Sequence, residues 1–79
     1  MKKYHGKIFY TIDENHPDIK FVEGWKKGKI YTFEDVYTIN DEYPTENIKA
    51  YIKADLKLVA GGGYSTEHIH NVKFEIEKL

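Results

Sequence analysis

The sequence predicts an α+β fold: a mainly antiparallel sheet of four to five strands with at most one short helix. Three observations carry this. VKFEIEKL, 72 to 79, alternates apolar Val72, Phe74 and Ile76 with Lys73, Glu75 and Glu77, as a strand with one buried and one wet face does. KIFYTID, 7 to 13, is built of β-branched and aromatic residues. IKAYIKADLKLV, 48 to 59, has an aliphatic residue at every second position and runs straight into Gly61, Gly62 and Gly63. An all-β fold, or a helix at 46–60, are the alternatives that the same residues support.

Taken in order, 7–13 is a strand with Ile8, Tyr10 and Ile12 on one face, ended by the Asp, Asn and Pro chemistry of DENHPD. IKFVEGWKKGKIY, 19 to 31, reads as a short strand, a turn around Gly24 to Gly28, and a return strand. In TFEDVYTINDEYP, Thr32 followed by Asp35 resembles a capping box, predicting a short helix that ends near Asn40. The stiff residues Val36, Thr38 and Ile39 argue for a strand instead.

Segment 48–59 fits two periods. As a strand, Ile48, Ala50, Ile52, Ala54, Leu56 and Leu58 share a face. As a helix, Ile48, Ile52, Leu56 and Val59 form a stripe, with Thr45 as cap and Gly61 at the end. The unbroken alternation favours the strand, paired with 72–79 through a hairpin turn at the glycines. Tyr10-Thr11-Ile12-Asp13 and Tyr37-Thr38-Ile39-Asn40 echo one another, each running on to a proline. Their flanks do not align, so the echo is repeated strand–turn chemistry.

Composition bounds the rest. Seventy-nine residues suffice for one small domain, 1–79. At roughly 0.05–0.15 kcal/mol per residue its stability is on the order of 4–12 kcal/mol. There is no cysteine, which excludes disulfides, thiolate metal sites and cysteine nucleophiles. Packing of seven tyrosines, four phenylalanines and one tryptophan must do that work. All 12 basic residues are Lys, and the formal net charge is −1. Bidentate recognition of phosphate or guanine, an Arg task, is therefore absent, although Lys can still neutralise phosphates. No apolar run approaches the ~20 residues of a membrane span, and MKKYHGKIFY lacks the apolar region of a signal peptide. The expectation is a cytoplasmic protein, and the Lys-, Ile- and Tyr-rich, Arg-free composition suits a low-GC bacterium or its phages.

From Gly24 onward the chain resembles small domains of unassigned role in bacterial and phage proteins. The likeness rests on GKIYTFEDV, IKAYIKADLKLVAGGGYSTE and VKFEI. Such domains run turn, short helix, long strand, Gly-rich turn, strand. Related segments often carry Cys or Gly-x-His before the helix, where this chain has Lys29, Ile30 and Tyr31. The resemblance thus implies the hairpin over 48–76 and no activity.

Chemical candidates are few. His68 and His70 stand two apart, about 6.8 Å between Cα atoms on a strand, close enough to chelate one zinc. A third ligand would come from His5, His16, Asp13 or Glu67. Equally, both histidines share parity with Val72, Phe74 and Ile76 and would be half-buried; a bulge near Asn71 would instead turn Ile69 inward and leave both histidines in water. Ser65, the only serine, has no G-x-S-x-G context, and the glycines lack phosphate-loop spacing. Neither catalysis nor a cofactor is expected.

Charge is more telling. Between Ile30 and Ile48 there is no Lys, yet Glu34, Asp35, Asp41, Glu42 and Glu46 fall there with Tyr37 and Tyr43. This predicts an acidic, tyrosine-bearing surface for a host protein, as in a phage or mobile-element inhibitor of anti-CRISPR type that imitates nucleic acid. Trp25, Tyr31 and Tyr51 are further aromatic anchors. The alternative is a sheet face of Lys49, Tyr51, Lys53 and Lys57 that binds nucleic acid or a small ligand.

Overall fold

The computed structural model describes residues 1–62 and 66–79. It contains three strands and one helix: β1 (Lys2–Ile12), β2 (Tyr31–Ile39), α1 (Thr45–Ala60) and β3 (Ile69–Lys78). Single 3-10 turns occupy Ile19–Phe21 and Thr66–His68. β1 is central and antiparallel to both neighbours, giving the order β2-β1-β3. The α+β class stands, with three strands rather than four or five.

Three expectations are corrected. Residues 32–40 are strand β2 and not a short helix, because Thr32, Val36, Thr38 and Ile39 are β-branched and pair along β1. The Thr32–Asp35 capping box goes unused; the Asp35 carboxylate accepts the Val36 N–H at 2.8 Å. Residues 19–31 are no hairpin but a chain of tight turns, with Gly24 and Gly28 at φ 69 and 82°. The Trp25 indole N–H donates to the Ile12 carbonyl at 2.9 Å and ties this loop to the end of β1.

The third correction is the largest: 48–59 lies within helix α1. Strand and helix periods coincide at Ile48, Ile52 and Leu56, and these three are fully buried. They part at Ala50, Ala54 and Leu58, all of which the helix leaves exposed. Ala, Lys and Leu are strong helix formers, and a three-stranded sheet needs one face covered. The resemblance therefore misleads here, since helix and strand stand in the opposite order. Gly61 donates to the Lys57 carbonyl at 3.0 Å, and Gly62, at φ 72°, donates to that of Val59 at 2.9 Å. The first two glycines stop a helix and do not turn a hairpin; Gly63 and Ser65 lie outside the described residues.

The core lies between α1 and one sheet face, where Tyr4, Ile8, Tyr37 and Ile39 meet Ile48, Ile52 and Leu56. Each such side chain contributes about 1.5–3 kcal/mol on burial. Gly6 sets how closely they meet: a Cβ there would stand 2.7 Å from Ile52 Cγ2 and 3.1 Å from Leu56 Cδ1. Glycine at the centre of β1 lets the helix settle onto the sheet. Both copies of the Tyr-Thr-Ile echo are strand ends, of β1 and β2. No helix among the described residues is long and apolar enough to cross a membrane.

Candidate functional site

One cluster grows from three consecutive elements along the β2 side of α1. Tyr37 on β2 is buried and its hydroxyl donates to Asp55 Oδ2 at 2.7 Å. Burial first, then this hydrogen bond and the nearby carboxylates of Asp55 and Asp35, raise its pKa above the ordinary 10.0. Tyr51 on α1 meets the Tyr37 ring edge-on at 6.2 Å, and Tyr43 lies 6.1 Å from Tyr51 on its other side. Tyr43 and Tyr51 remain 39% and 47% exposed. The turn carrying Tyr43 is fixed by Asn40, whose side chain accepts the Glu42 N–H at 2.9 Å. The result is a pair of half-open phenol rings on a buried third, bordered by carboxylates.

The predicted acidic residues divide around it. Asp35, one turn of pleat from Tyr37, faces the helix side, while exposed Asp41, Glu42 and Glu46 follow the β2–α1 connection. Asp41 pairs with the Met1 amine at 3.1 Å. Glu34 does not join them: it lies on the uncovered sheet face, 3.1 Å from His5 Nε2. Tyr37 is 8% exposed and lies beneath the Tyr51 ring. Trp25 and Tyr31 are likewise only partly exposed, Trp25 bonded to β1 and Tyr31 stacked on Tyr10 at 6.1 Å. Asp55 was missing from the sequence-based set. Its spacing of four from Tyr51 would have revealed it, had 48–59 been taken as a helix.

The lysine face is rearranged. Lys49, Lys53 and Lys57 recur every fourth residue, so they stay in line on the helix as well. They lie on the flank facing β3, where the Lys53 ammonium stands 5.7 Å from the Phe74 ring. Tyr51 leaves them for the opposite, acidic flank. The expected Lys/Tyr sheet face is thus a lysine row without its stacking ring.

At the far end of the sheet, Asp13 joins the two histidines. His70 Nε2 lies 2.7 Å from Asp13 Oδ2, and His68 Nδ1 lies 3.5 Å from Oδ1. The hydrogen bond to His70 is the main cause holding the Asp13 pKa below its ordinary value. The arrangement follows from a bulge: β3 inserts a residue opposite the register shift between Phe9 and Thr11, and Asn71 adopts φ 54°. Ile69, only 4% exposed, is thereby turned inward against Ile12, while His70 is half-open; His68, expected in water with such a bulge, is instead mostly covered, packed near His16. The parity that would have aligned the histidines with Val72 and Phe74 is broken there.

Buried His16 adds a further ring 6.0 Å from His68. Its Nδ1 accepts the Asp18 N–H at 3.0 Å, so its proton sits on Nε2, 3.4 Å from the Gly61 carbonyl. Glu67 reaches His68 Nε2 at 3.7 Å, whereas His5 is bound to Glu34 elsewhere. Among the described residues no three such groups are arranged to hold a metal ion. Asp13 bridges the two imidazoles, one carboxylate oxygen to each. Comparison with protein-family models, curated proteins and solved structures returns no significant match.

Proposed function

We propose that this protein is a non-enzymatic interaction module that docks on a basic surface of a partner protein through Tyr43, Tyr51 and the carboxylates around them. The observation that carries this reading is the tyrosine cluster: two half-exposed rings held in place by Tyr37, itself buried and bonded to Asp55. Ordered aromatic side chains lose little entropy on binding and commonly dominate interface energetics. Asp35, Asp41, Glu42 and Glu46 supply charge complementary to lysine or arginine. A lysine-free stretch from Ile30 to Ile48 supports the same polarity. On this reading the module acts in the cytoplasm of a low-GC bacterium, as a phage or mobile-element inhibitor of anti-CRISPR type would, by filling a groove made for nucleic acid.

Affinity capture from a low-GC bacterial lysate, with nuclease present, tests it. One stoichiometric protein should be retained, lost with Tyr51→Ala or with Asp41→Lys/Glu42→Lys, and kept with Lys49→Glu/Lys53→Glu. Release of all captured material by nuclease, or loss only with the lysine variants, would favour nucleic acid on the lysine row and overturn the proposal.

A further inference from the structure

We propose that the groove between Phe9, Ile30 and the Asn71 bulge binds a small amphipathic carboxylate, its tail over Phe9 and Ile30 and its charge at Lys27 and His70. Four independent features converge there. A groove of about 550 Å³ is lined by Phe9, Tyr10, Ile30 and Phe74, with Lys73 and Glu75 at its rim. Through Thr11, Gly28 and Asn71 it adjoins a second recess of about 330 Å³ that contains Asp13, Lys27 and His70. These volumes match those of sites that hold small organic molecules. The wall is apolar yet open, for Ile30 is 67% exposed.

The junction of the two recesses is where the backbone is strained. Asn71 is the one non-glycine at positive φ among the described residues, a conformation costing on the order of 1 kcal/mol or more that persists only where its surroundings enforce it. Here a relay does so: the Asn71 amide donates to Thr11 Oγ1 at 3.2 Å, and the Thr11 hydroxyl donates to the His70 carbonyl at 3.2 Å. Bulges of this kind re-aim side chains beside binding sites. This one puts His70 at the edge of the second recess.

Polarity selects the ligand. Asp13 is already hydrogen-bonded to His70 and lies beside His68, so both of its oxygens are engaged within the protein. Lys27 in the second recess and Lys73 in the first form no salt bridge among the described residues. Two unanswered ammoniums, one in each recess, beside an apolar trough fit a carboxylate on an apolar body. A polyanion would meet Glu75 at one end and Glu14, beyond Lys27, at the other.

Titration of the ¹⁵N-labelled full chain with sodium octanoate, and separately with octan-1-ol, is the test. Octanoate should give saturable amide shifts at Gly28, Ile30, Asn71 and His70, with a Kd about tenfold below that of the alcohol. Lys27→Glu should erase that difference, and Ile30→Asp should abolish binding of both. Both side chains are exposed, so the variants should melt as the parent does. Absence of saturable shifts, shifts confined to α1, or equal affinity for acid and alcohol in the parent chain would each overturn the proposal.

Discussion

Gly6 is the residue on which the packing turns. Its missing Cβ leaves room for Ile52 Cγ2 and Leu56 Cδ1, and Tyr37 closes the same space at 3.3 Å. Gly6→Ala should therefore cost about 1–3 kcal/mol by overpacking, although alanine suits a strand no worse than glycine. Leucine lacks the β-branch, so Ile52→Leu removes the clashing methyl and should recover part of that loss. A double-mutant cycle by urea denaturation should then give a coupling of about 0.5 kcal/mol or more; strict additivity would refute the close approach. Tyr37 is the second residue of this kind. Its folded-state pKa is raised, so its contribution is fully present below pH 10.0 and is lost as pH rises through the higher folded value. Tyr37→Phe should lose about 0.5–1.5 kcal/mol near neutrality. It should also lose less than the parent between pH 10 and pH 11, as followed by denaturation at each pH.

At the scale of elements, β3 was legible because it alternates apolar and wet residues with a period of two, and the second half of β1 because its residues are β-branched and aromatic. α1 was not, because residues spaced by four satisfy both periods; Ile48, Ile52 and Leu56 fit either. The discriminating residues were the alanines. Ala50 and Ala54 count as apolar in an alternation, but they bury little area and belong on the outside of a helix. β2 was missed for the opposite reason: a local capping pattern at Thr32 and Asp35 outweighed the β-branched run beside it, whose value appears only once β1 offers a partner. The tyrosine and carboxylate types of the candidate surface were evident from the chain, whereas the grouping of Tyr51 with Asp55 required the helix. If α1 is held by its three buried aliphatics, Leu56→Ala should cost about 2–5 kcal/mol. The exposed Leu58→Ala should change the denaturation midpoint little; comparable losses would mean that the stripe is misassigned.

Across the whole molecule the two ends of the sheet are closed in different ways. Near the start of β1, Tyr4, Tyr37, Ile39 and Ile48 bring the strands and helix together by apolar contact. Near its end a polar clasp does so: the Asp13 N–H donates to the His68 carbonyl at 3.0 Å while the Asp13 carboxylate engages both histidines. The carboxylate pairs at the first end, Met1–Asp41 and His5–Glu34, are exposed and worth little, whereas the clasp joins two elements through Asp13. The folded-state pKa of Asp13 is depressed, so its stabilisation is present above the ordinary 3.8 and disappears as pH falls through the lower folded value. Acid should open the molecule from this end. Asp13→Asn should be less stable than the parent at pH 6 and should lose less on acidification from pH 5 to pH 2. Amide exchange in the parent at pH 3 should show Asp13, Ile69 and His70 losing protection before Ile8 or Ile52. Uniform loss along β1, or an acid response unchanged by Asp13→Asn, would place the pH-sensitive contact elsewhere in the fold.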